Sequence, residues 1–247
     1  MPRIKDQAIC IRLIDFSESS QVVALLTEQH GLVRGLAKGS KRMSPGSVAR
    51  FSGGIELLTL GQIVATTRPS RDLATLTEWD LQEPYWHLHE DLDALHLAMY
   101  AADAAHAMLA EHDPHPEVFT ALGALFERLE NREGRDMALL CYQWSLLDAC
   151  GYRPQLEEDV VTNEPLEKRS SYHFDPHLGG FAAEGGAAPD SAWGVRRATL
   201  EQLQAVAAGD ENGSQEAVRR ANRLLCAYLR ALLDRQLPTM ARVLNQG

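Results

Sequence analysis

The sequence contains few of the features on which disulfide-linked, membrane-spanning or zinc-binding proteins depend. Its four cysteines lie in unrelated segments and form no C-x-x-C pair, which argues against a disulfide framework and a zinc knuckle. We expect Cys10, Cys141 and Cys226, which have apolar neighbours, to be small buried hydrophobic residues. No apolar run approaches the ~20 residues that cross a membrane, and the charged first residues do not resemble a signal peptide. We therefore expect a cytoplasmic protein.

Sequence motifs of common enzymes are missing as well. The chain has no G-x-S-x-G, H-E-x-x-H, G-x-G-x-x-G or G-x-x-x-x-G-K-[ST] element. Three histidine pairs have a spacing loosely similar to that of metal ligands, but none has a cysteine partner nearby: His87 and His89, His112 and His115, and His173 and His177. We therefore expect a protein that is not an enzyme, with no catalytic residue, no metal and no cofactor.

Basic residues are outnumbered, and this argues against a generally basic nucleic-acid-binding protein. The formal net charge is −10. The charge is uneven, however, because residues 1–80 contain ten lysines and arginines against eight acidic residues, whereas the remainder contains 14 against 26. An acidic body repels nucleic acid, so we expect any nucleic-acid contact to lie in the slightly basic N-terminal part.

Short apolar segments separated by turn residues fill the N-terminal part. Strands are predicted over Gln7–Asp15, Gln21–Thr27, Leu32–Ala37, Gly54–Leu60 and Gln62–Thr67. In the first of these strands, Ile9, Ile11 and Leu13 are expected to share one face. Lys38–Arg50 is predicted to be a flexible loop, and Leu73–Leu81 either a last extended segment or the transition to a helix. Short strands at this spacing are typical of a small barrel or sandwich.

Helical spacing begins after Pro84. Helices are predicted over Tyr85–Glu111, Glu117–Arg132, Gly134–Ala149, Val195–Ala208 and Gln215–Asp234, with a short one over Leu237–Asn245. Tyr152–Trp193, rich in Gly, Pro, Glu and Ser, is expected to contain only short hairpin pieces around Ser171–Phe174 and Gly180–Phe181. The fold class is therefore α+β, with a barrel domain at residues 1–81 and a helical domain at 82–247 that carries an irregular insert at 152–193.

The loop after the third strand is a candidate phosphate-binding site. Arg34, Lys38, Lys41 and Arg42 lie within nine residues and have glycines between them. Glycine lets backbone amides approach a ligand closely, and lysine and arginine release counterions from a polynucleotide. A solvated surface loop on an ordinary domain explains the same charges, so both interpretations stay open on charge alone.

Aromatic residues that could stack on bases are few in the N-terminal part, where only Phe16, Phe51 and Trp79 occur. Binding of a single strand there should therefore depend more on charge than on stacking. The aromatic residues of the helical segments are expected to lie in the core, because they follow helical spacing: Trp86, Phe119, Phe126 and Trp144.

The segment Ile11–Lys41 resembles the start of the bacterial RecO family of recombination mediators. It reads I-R-L-I-D-F-S-E-S-S-Q-V-V-A-L-L-T-E-Q-H-G-L-V-R-G-L-A-K-G-S-K, with a Ser-Glu turn, a Leu-Thr strand end, a glycine turn and an Ala-Lys-Gly-Ser-Lys element. Arg50-Phe51 before an apolar segment also fits, as does L-L-x-x-x-G-x-x-P-x-L from Leu146 to Leu156. The remaining helices match the family by layout.

This resemblance implies an oligonucleotide/oligosaccharide-binding (OB) barrel followed by a helical domain. It also implies a non-enzymatic protein that binds single- and double-stranded DNA, anneals complementary strands, and works with RecR and the single-strand-binding protein SSB to load RecA in DNA repair. Such a protein would be nucleoid-associated and would need no membrane and no small-molecule substrate. The residues we expect to contact DNA are Arg34, Lys38, Lys41, Arg42 and Arg50.

The chain departs from many RecO proteins in one respect, because those carry four zinc-binding cysteines after the Gly-x-x-Pro element. Here Leu156 is followed by Glu-Glu-Asp-Val-Val-Thr, and Gly179-Gly180 by Phe-Ala-Ala-Glu-Gly-Gly. Cys150 alone cannot replace a four-ligand site. We therefore expect the insert at 152–193 to be a degenerate zinc-finger region that is held by packing.

Two other function classes stay open. In the first, the helical part is a protein-interaction scaffold, the barrel is structural, and direct DNA binding is weak. In the second, which the sequence favours least, the protein is a hydrolase without a recognisable motif. A convergent polar pocket would be the mark of the hydrolase.

Overall fold

The computed structural model describes residues 3–67, 73–183 and 192–245. The chain divides into two compact units, Met1–Glu130 and Asn131–Gly247. The first unit contains the predicted barrel, and the predicted α+β class is confirmed, with a five-stranded OB-like barrel followed by a helical region.

The barrel is one sheet that closes on itself. Its strands are β1 (Arg3–Ser17), β2 (Ser20–Thr27), β3 (Gly31–Ala37), β4 (Phe51–Ser52), β5 (Leu60–Thr66) and β6 (Ala74–Glu83), with a short helix α1 (Pro45–Arg50) between β3 and β4. The strand order is β3-β2-β1-β5-β6, and a parallel pairing of β3 with β6 closes the ring. The interior is filled by apolar side chains such as Val23, Leu25, Ile63 and Trp79, as in small barrels generally.

Two sequence predictions for this region are wrong, and the structure resolves the alternatives left open for Leu73–Leu81. Gly54–Leu60 is not a strand, because Gly54 and Leu58 have φ values of 78° and 62°, which an extended chain cannot adopt. Lys38–Arg50 is not all loop, since it contains α1, whose first residue, Pro45, is already constrained to a helical φ. The segment after residue 72 is a strand, β6.

A β-bulge in β1 corrects the predicted face. The pairing of β1 with β2 shifts between Cys10 and Arg12, which leaves Ile11 as an extra residue in the strand. Such a bulge reverses the alternation of side chains on its two sides. Cys10 therefore belongs to the barrel interior and Leu13 packs against it, whereas Ile9 and Ile11 are buried outside this core. The prediction that Ile9, Ile11 and Leu13 share one face is wrong.

Helices cover part of the barrel's outer surface within Met1–Glu130. They are α2 (His87–Glu90), α3 (Leu92–Met108) and α4 (Pro116–Arg128). The single helix predicted over Tyr85–Glu111 is thus divided at Asp91, whose side chain caps α3 by accepting hydrogen bonds from the amides of Asp93 and Ala94. Trp86, expected in the core, is 65% exposed just before α2.

Helix α3 buries alanines where most helices bury larger residues. Its buried face includes Ala94, Ala98, Ala101, Ala102, Ala104 and Ala105. Small side chains let a helix lie close to the surface that it covers. After α3 the chain runs alongside β3, where the His112 amide donates to the Leu32 carbonyl at 3.1 Å.

The described part of the second unit combines α-helices with a small sheet. The helices are α5 (Arg135–Ala149), α6 (Arg197–Ala207), α7 (Gln215–Leu232) and α8 (Ala241–Leu244), and the strands are β7 (Ser171–Asp175), β8 (Gly180–Ala183) and β9 (Trp193–Arg196) in the order β8-β7-β9. A buried amide pair joins α5 to α7, because Gln143 Nε2 donates to Asn222 Oδ1 at 2.7 Å.

Packing holds the described part of the predicted insert. The hairpin β7–β8 lies where short hairpin pieces were predicted. The Phe174 ring is buried and its centroid lies 5.1 Å from those of Phe181 and Tyr228 and 5.8 Å from that of Trp193. Residues 184–191 of the insert are outside the described ranges. No helix among the described residues is long and apolar enough to cross a membrane.

Gly31 allows the start of β3 to pack directly against the backbone of Asp113. Its φ is +67°, and a Cβ added there would lie 2.2 Å from the backbone oxygen of Asp113. We expect Gly31→Ala to lower the free energy of unfolding by about 3 kcal/mol, through backbone strain and displacement of that segment. Gly46→Ala is the control, because a Cβ there meets nothing within 4 Å. Equal thermal unfolding of the two variants would contradict the close packing.

Burial determines which thiols are reactive. Cys10 and Cys226 are buried as predicted, whereas Cys141 is half-buried, as is Cys150. Desolvation raises the pKa of the Cys10 thiol to about 12, and the thiolate is the nucleophile. We therefore expect iodoacetamide at pH 8 to leave Cys10 unmodified in the folded protein and to modify it after urea unfolding, as measured by peptide mass mapping. Rapid labelling of Cys10 in the native protein would contradict its position in the barrel core.

Candidate nucleic-acid interface

The loop that follows β3 and carries Lys38, Lys41 and Arg42, called the basic loop below, is held against the turn between β1 and β2. The Gly39 amide donates to Ser20 Oγ at 3.1 Å, Ser40 Oγ donates to Gln21 Oε1 at 2.8 Å, and the Lys41 amide donates to the Ser19 carbonyl at 3.2 Å. Gly39 itself has a φ of +77°. These bonds give the predicted flexible loop a defined conformation, so its cations lie at fixed places on one end of the barrel.

The five residues predicted to contact DNA are all exposed, but they differ in whether another side chain or carbonyl already engages them. Lys38 and Arg42 have no ion-pair partner among the described residues. Lys41 Nζ lies 2.8 Å from Asp15 Oδ2, and Arg34 Nη1 lies 3.1 Å from Glu111 Oε1. Arg50 is engaged within α1, since its Nε donates to the Gly46 carbonyl at 3.1 Å and its guanidinium lies 5.8 Å from the centre of the Phe51 ring.

Arg12 belongs to the same surface and was missed from the sequence. It pairs with Ala24 of β2, which in turn pairs with Arg34 of β3, so the three residues form a row across the outer face of three strands. The two arginines border a groove of about 320 Å³ that also contains Ile14 and Val22. Arg12 could not be assigned to this surface from the sequence, because the bulge at Ile11 breaks the regular alternation that predicts the face of each residue.

Aromatic residues contribute little to this surface. Phe51 and Trp79 are 3% and 1% exposed, so both belong to the barrel core, whereas Phe16 is 67% exposed next to the turn between β1 and β2. OB barrels in general bind oligonucleotides through the face formed by their second and third strands. Here β2 is almost entirely buried and Arg34 is the exposed residue of β3, so the exposed surface is the one around Arg34 and the basic loop. With a single exposed aromatic residue of the three, it is suited to phosphate contact more than to base stacking.

A second cationic surface lies within Asn131–Gly247. A groove of about 460 Å³ runs between β9 and one face of α7, with Arg196, Arg220, Arg223 and Arg230 around it and Trp193, Val195, Leu224 and Ala227 among its apolar lining. Arg220 pairs with Glu216. The other three arginines have no ion-pair partner in the part of the chain that the structure describes. The sequence did not indicate this groove, because its arginines are spread through an acidic region.

Within the described ranges, no three His, Cys, Asp or Glu residues come together in a way that could hold a metal ion. The three histidine pairs are no exception. His115 lies near the carboxylates of Asp113 and Glu117, at 3.3 and 3.1 Å, and His87 Nε2 lies 2.7 Å from the Phe126 carbonyl oxygen. The histidines with described contacts thus have local protein partners.

Comparison with known proteins gives a consistent result along most of the chain. Residues 1–85 match the family model described as Recombination protein O N terminal, and residues 89–241 match the one described as Recombination protein O C terminal.

Individual relatives are described as DNA repair proteins RecO. A DNA repair protein RecO of Anaeromyxobacter dehalogenans strain 2CP-C is 32% identical over 249 residues, which cover 96% of this chain and 94% of the relative. A DNA repair protein RecO of Myxococcus xanthus is 28% identical over 243 residues, covering 97% and 96%. The similarity thus includes the barrel, the helices and the insert at 152–193.

Proposed function

Because this chain belongs to the RecO family of DNA repair and recombination proteins, we propose that its barrel binds single- and double-stranded DNA and anneals complementary strands. In this proposal it acts as a mediator that helps to load RecA together with RecR and SSB. DNA binding falls to the barrel, residues 1–81, and partner binding to the helical region, residues 82–247. The observation that carries the proposal is the exposed group of cations beside the β2–β3 face.

The mechanism that this group supports is electrostatic. Lys38 and Arg42 have no competing acid among the described residues, so each can contact a phosphate without first losing an ion pair. Phosphate contacts position a protein on DNA without reading its sequence. Two strands repel each other through their phosphates, and cations that contact both reduce that repulsion. A protein of this kind can therefore bring complementary strands together whatever their sequence.

A salt series with a labelled single-stranded oligonucleotide tests the proposal. For Lys38→Ala/Arg42→Ala, we expect weaker binding and a log–log salt slope that is shallower by about 1.4, from the loss of two contacts at about 0.7 each. Replacing Arg34, Lys38, Lys41, Arg42 and Arg50 together should weaken binding further while the circular dichroism spectrum stays helical.

The matched control is Arg3→Ala/Lys5→Ala. It removes the same charge from the same barrel, but at the start of β1 where that strand pairs with β5. If this control weakens binding as much as Lys38→Ala/Arg42→Ala does, net charge and not the loop is responsible. If the wild-type protein does not bind DNA even at low salt, direct DNA binding by the barrel is wrong.

The arginine groove favours a second function, that of a protein-interaction surface. The family resemblance implies an SSB partner with an acidic tail, and such a tail requires a pocket that is both basic and apolar. The groove between β9 and α7 has this character, with Arg196, Arg223 and Arg230 around Trp193 and Leu224. This function is compatible with DNA binding, but it would also account for a scaffold whose barrel is only structural.

Fluorescence anisotropy with a labelled SSB tail peptide tests the groove. We expect Arg223→Ala and Arg230→Ala each to weaken binding about ten-fold, as the loss of a charged hydrogen bond does. Arg235→Ala is the control, because Arg235 follows α7, is exposed and does not line the groove. A peptide whose acidic residues are replaced by amides should bind weakly to all forms. Equal effects of the three substitutions would place the peptide elsewhere.

A further inference from the structure

Two cations of the proposed DNA-binding surface are already paired with carboxylates of the same unit. Lys41 pairs with Asp15, and Arg34 pairs with Glu111. The side chains involved are between 38% and 61% exposed. Exposed ion pairs of this kind contribute little to folding. Stability therefore does not account for the position of these two acids.

Backbone contacts hold both acids in place. Leu32 of β3 and Glu111 form a parallel bridge, and the His112 amide donates to the Leu32 carbonyl. These contacts fix Glu111 beside Leu32, which precedes Arg34 by two residues in β3. Asp15 lies in β1 opposite Gln21, whose side chain also accepts the bond from Ser40 in the basic loop. Each acid is thus part of the framework that positions the cation it contacts.

A carboxylate and a phosphate need the same donors. Arg34 donates to Glu111 from Nη1, and Lys41 donates to Asp15 from Nζ. A phosphate that approaches either cation must share these donors or displace the acid, and the acid's own charge repels it. Lys38 and Arg42 have no such competitor among the described residues.

We propose that Asp15 and Glu111 are built-in competitors for the DNA backbone, which limit the affinity of the barrel and speed its release. The inference rests on the proposed DNA binding by this surface. In it, Lys38 and Arg42 make the first contacts, and Lys41 and Arg34 contribute only when a phosphate displaces their acids. An annealing protein benefits from this arrangement, because it must leave the duplex that it forms.

The affinity of a labelled single-stranded oligonucleotide, at one moderate salt concentration, tests the competition. We expect Asp15→Asn and Glu111→Gln each to tighten binding by about two- to five-fold, the range that an exposed pair supplies, mainly through slower dissociation. Glu18→Gln is the matched control, since Glu18 lies in the same turn region, is exposed and has no ion-pair partner among the described residues. It should change binding less than either variant.

A double-mutant cycle separates competition from loss of negative charge. If Glu111 acts through Arg34, then Glu111→Gln should have little effect in an Arg34→Ala background. An undiminished gain in that background, or a gain from Glu18→Gln as large as that from Asp15→Asn, would overturn the inference. Thermal unfolding of each variant should match the wild type, since the pairs are exposed.

The outcomes also separate this inference from the proposed function. Binding by the wild type that Asp15→Asn and Glu111→Gln leave unchanged would overturn the competition alone. Absence of wild-type binding at low salt, with no binding by the two variants either, would overturn both. Wild-type binding that is seen only at low salt, together with binding by the variants at the moderate salt concentration, would support the competition.

Discussion

The surface around the basic loop depends on how strand β3 is fastened. One edge of this strand pairs with β2 along its length. Its other edge closes the barrel through three residue pairs with β6 and, near the start of the strand, bridges to Glu111 in the segment after α3. Arg34 lies within β3, and the loop that carries Lys38 and Arg42 follows this strand directly. If β3 shifted, the cations, the acid beside Arg34 and the closure of the barrel would all be displaced together.

The barrel and most helices could be predicted from the sequence, because alternation and helical spacing are local patterns. The bulge at Ile11 could not, since one extra residue changes the face of everything after it and leaves no mark in composition. The break at Asp91 was also missed, although Asp91 is a favourable N-cap residue, because apolar spacing continues on both sides of it. The failed strand at Gly54–Leu60 shows that an apolar run does not outweigh residues forced to positive φ.

The candidate cations could be found from the sequence, but their state could not. Lys38, Lys41 and Arg42 are nearly adjacent in the chain, yet only Lys41 has an ion-pair partner among the described residues, and that partner lies 26 positions away. The groove in the second unit could not be found from the sequence at all. Arg223 and Arg230 come to one side of α7 because they are two helical turns apart, while the surrounding acidic composition concealed them.

The alanines of α3 have a consequence for how the first unit can move. Alanine has no side-chain torsion to change, so burying it costs no rotamer entropy, and a layer of alanines cannot respond to strain by repacking. Ala98 and Ala101 are fully buried, so a larger side chain at either position would overpack this face. The segment that bears Glu111 continues directly from this helix, so its distance from Arg34 is set by a rigid element and not by the adjustment of individual side chains.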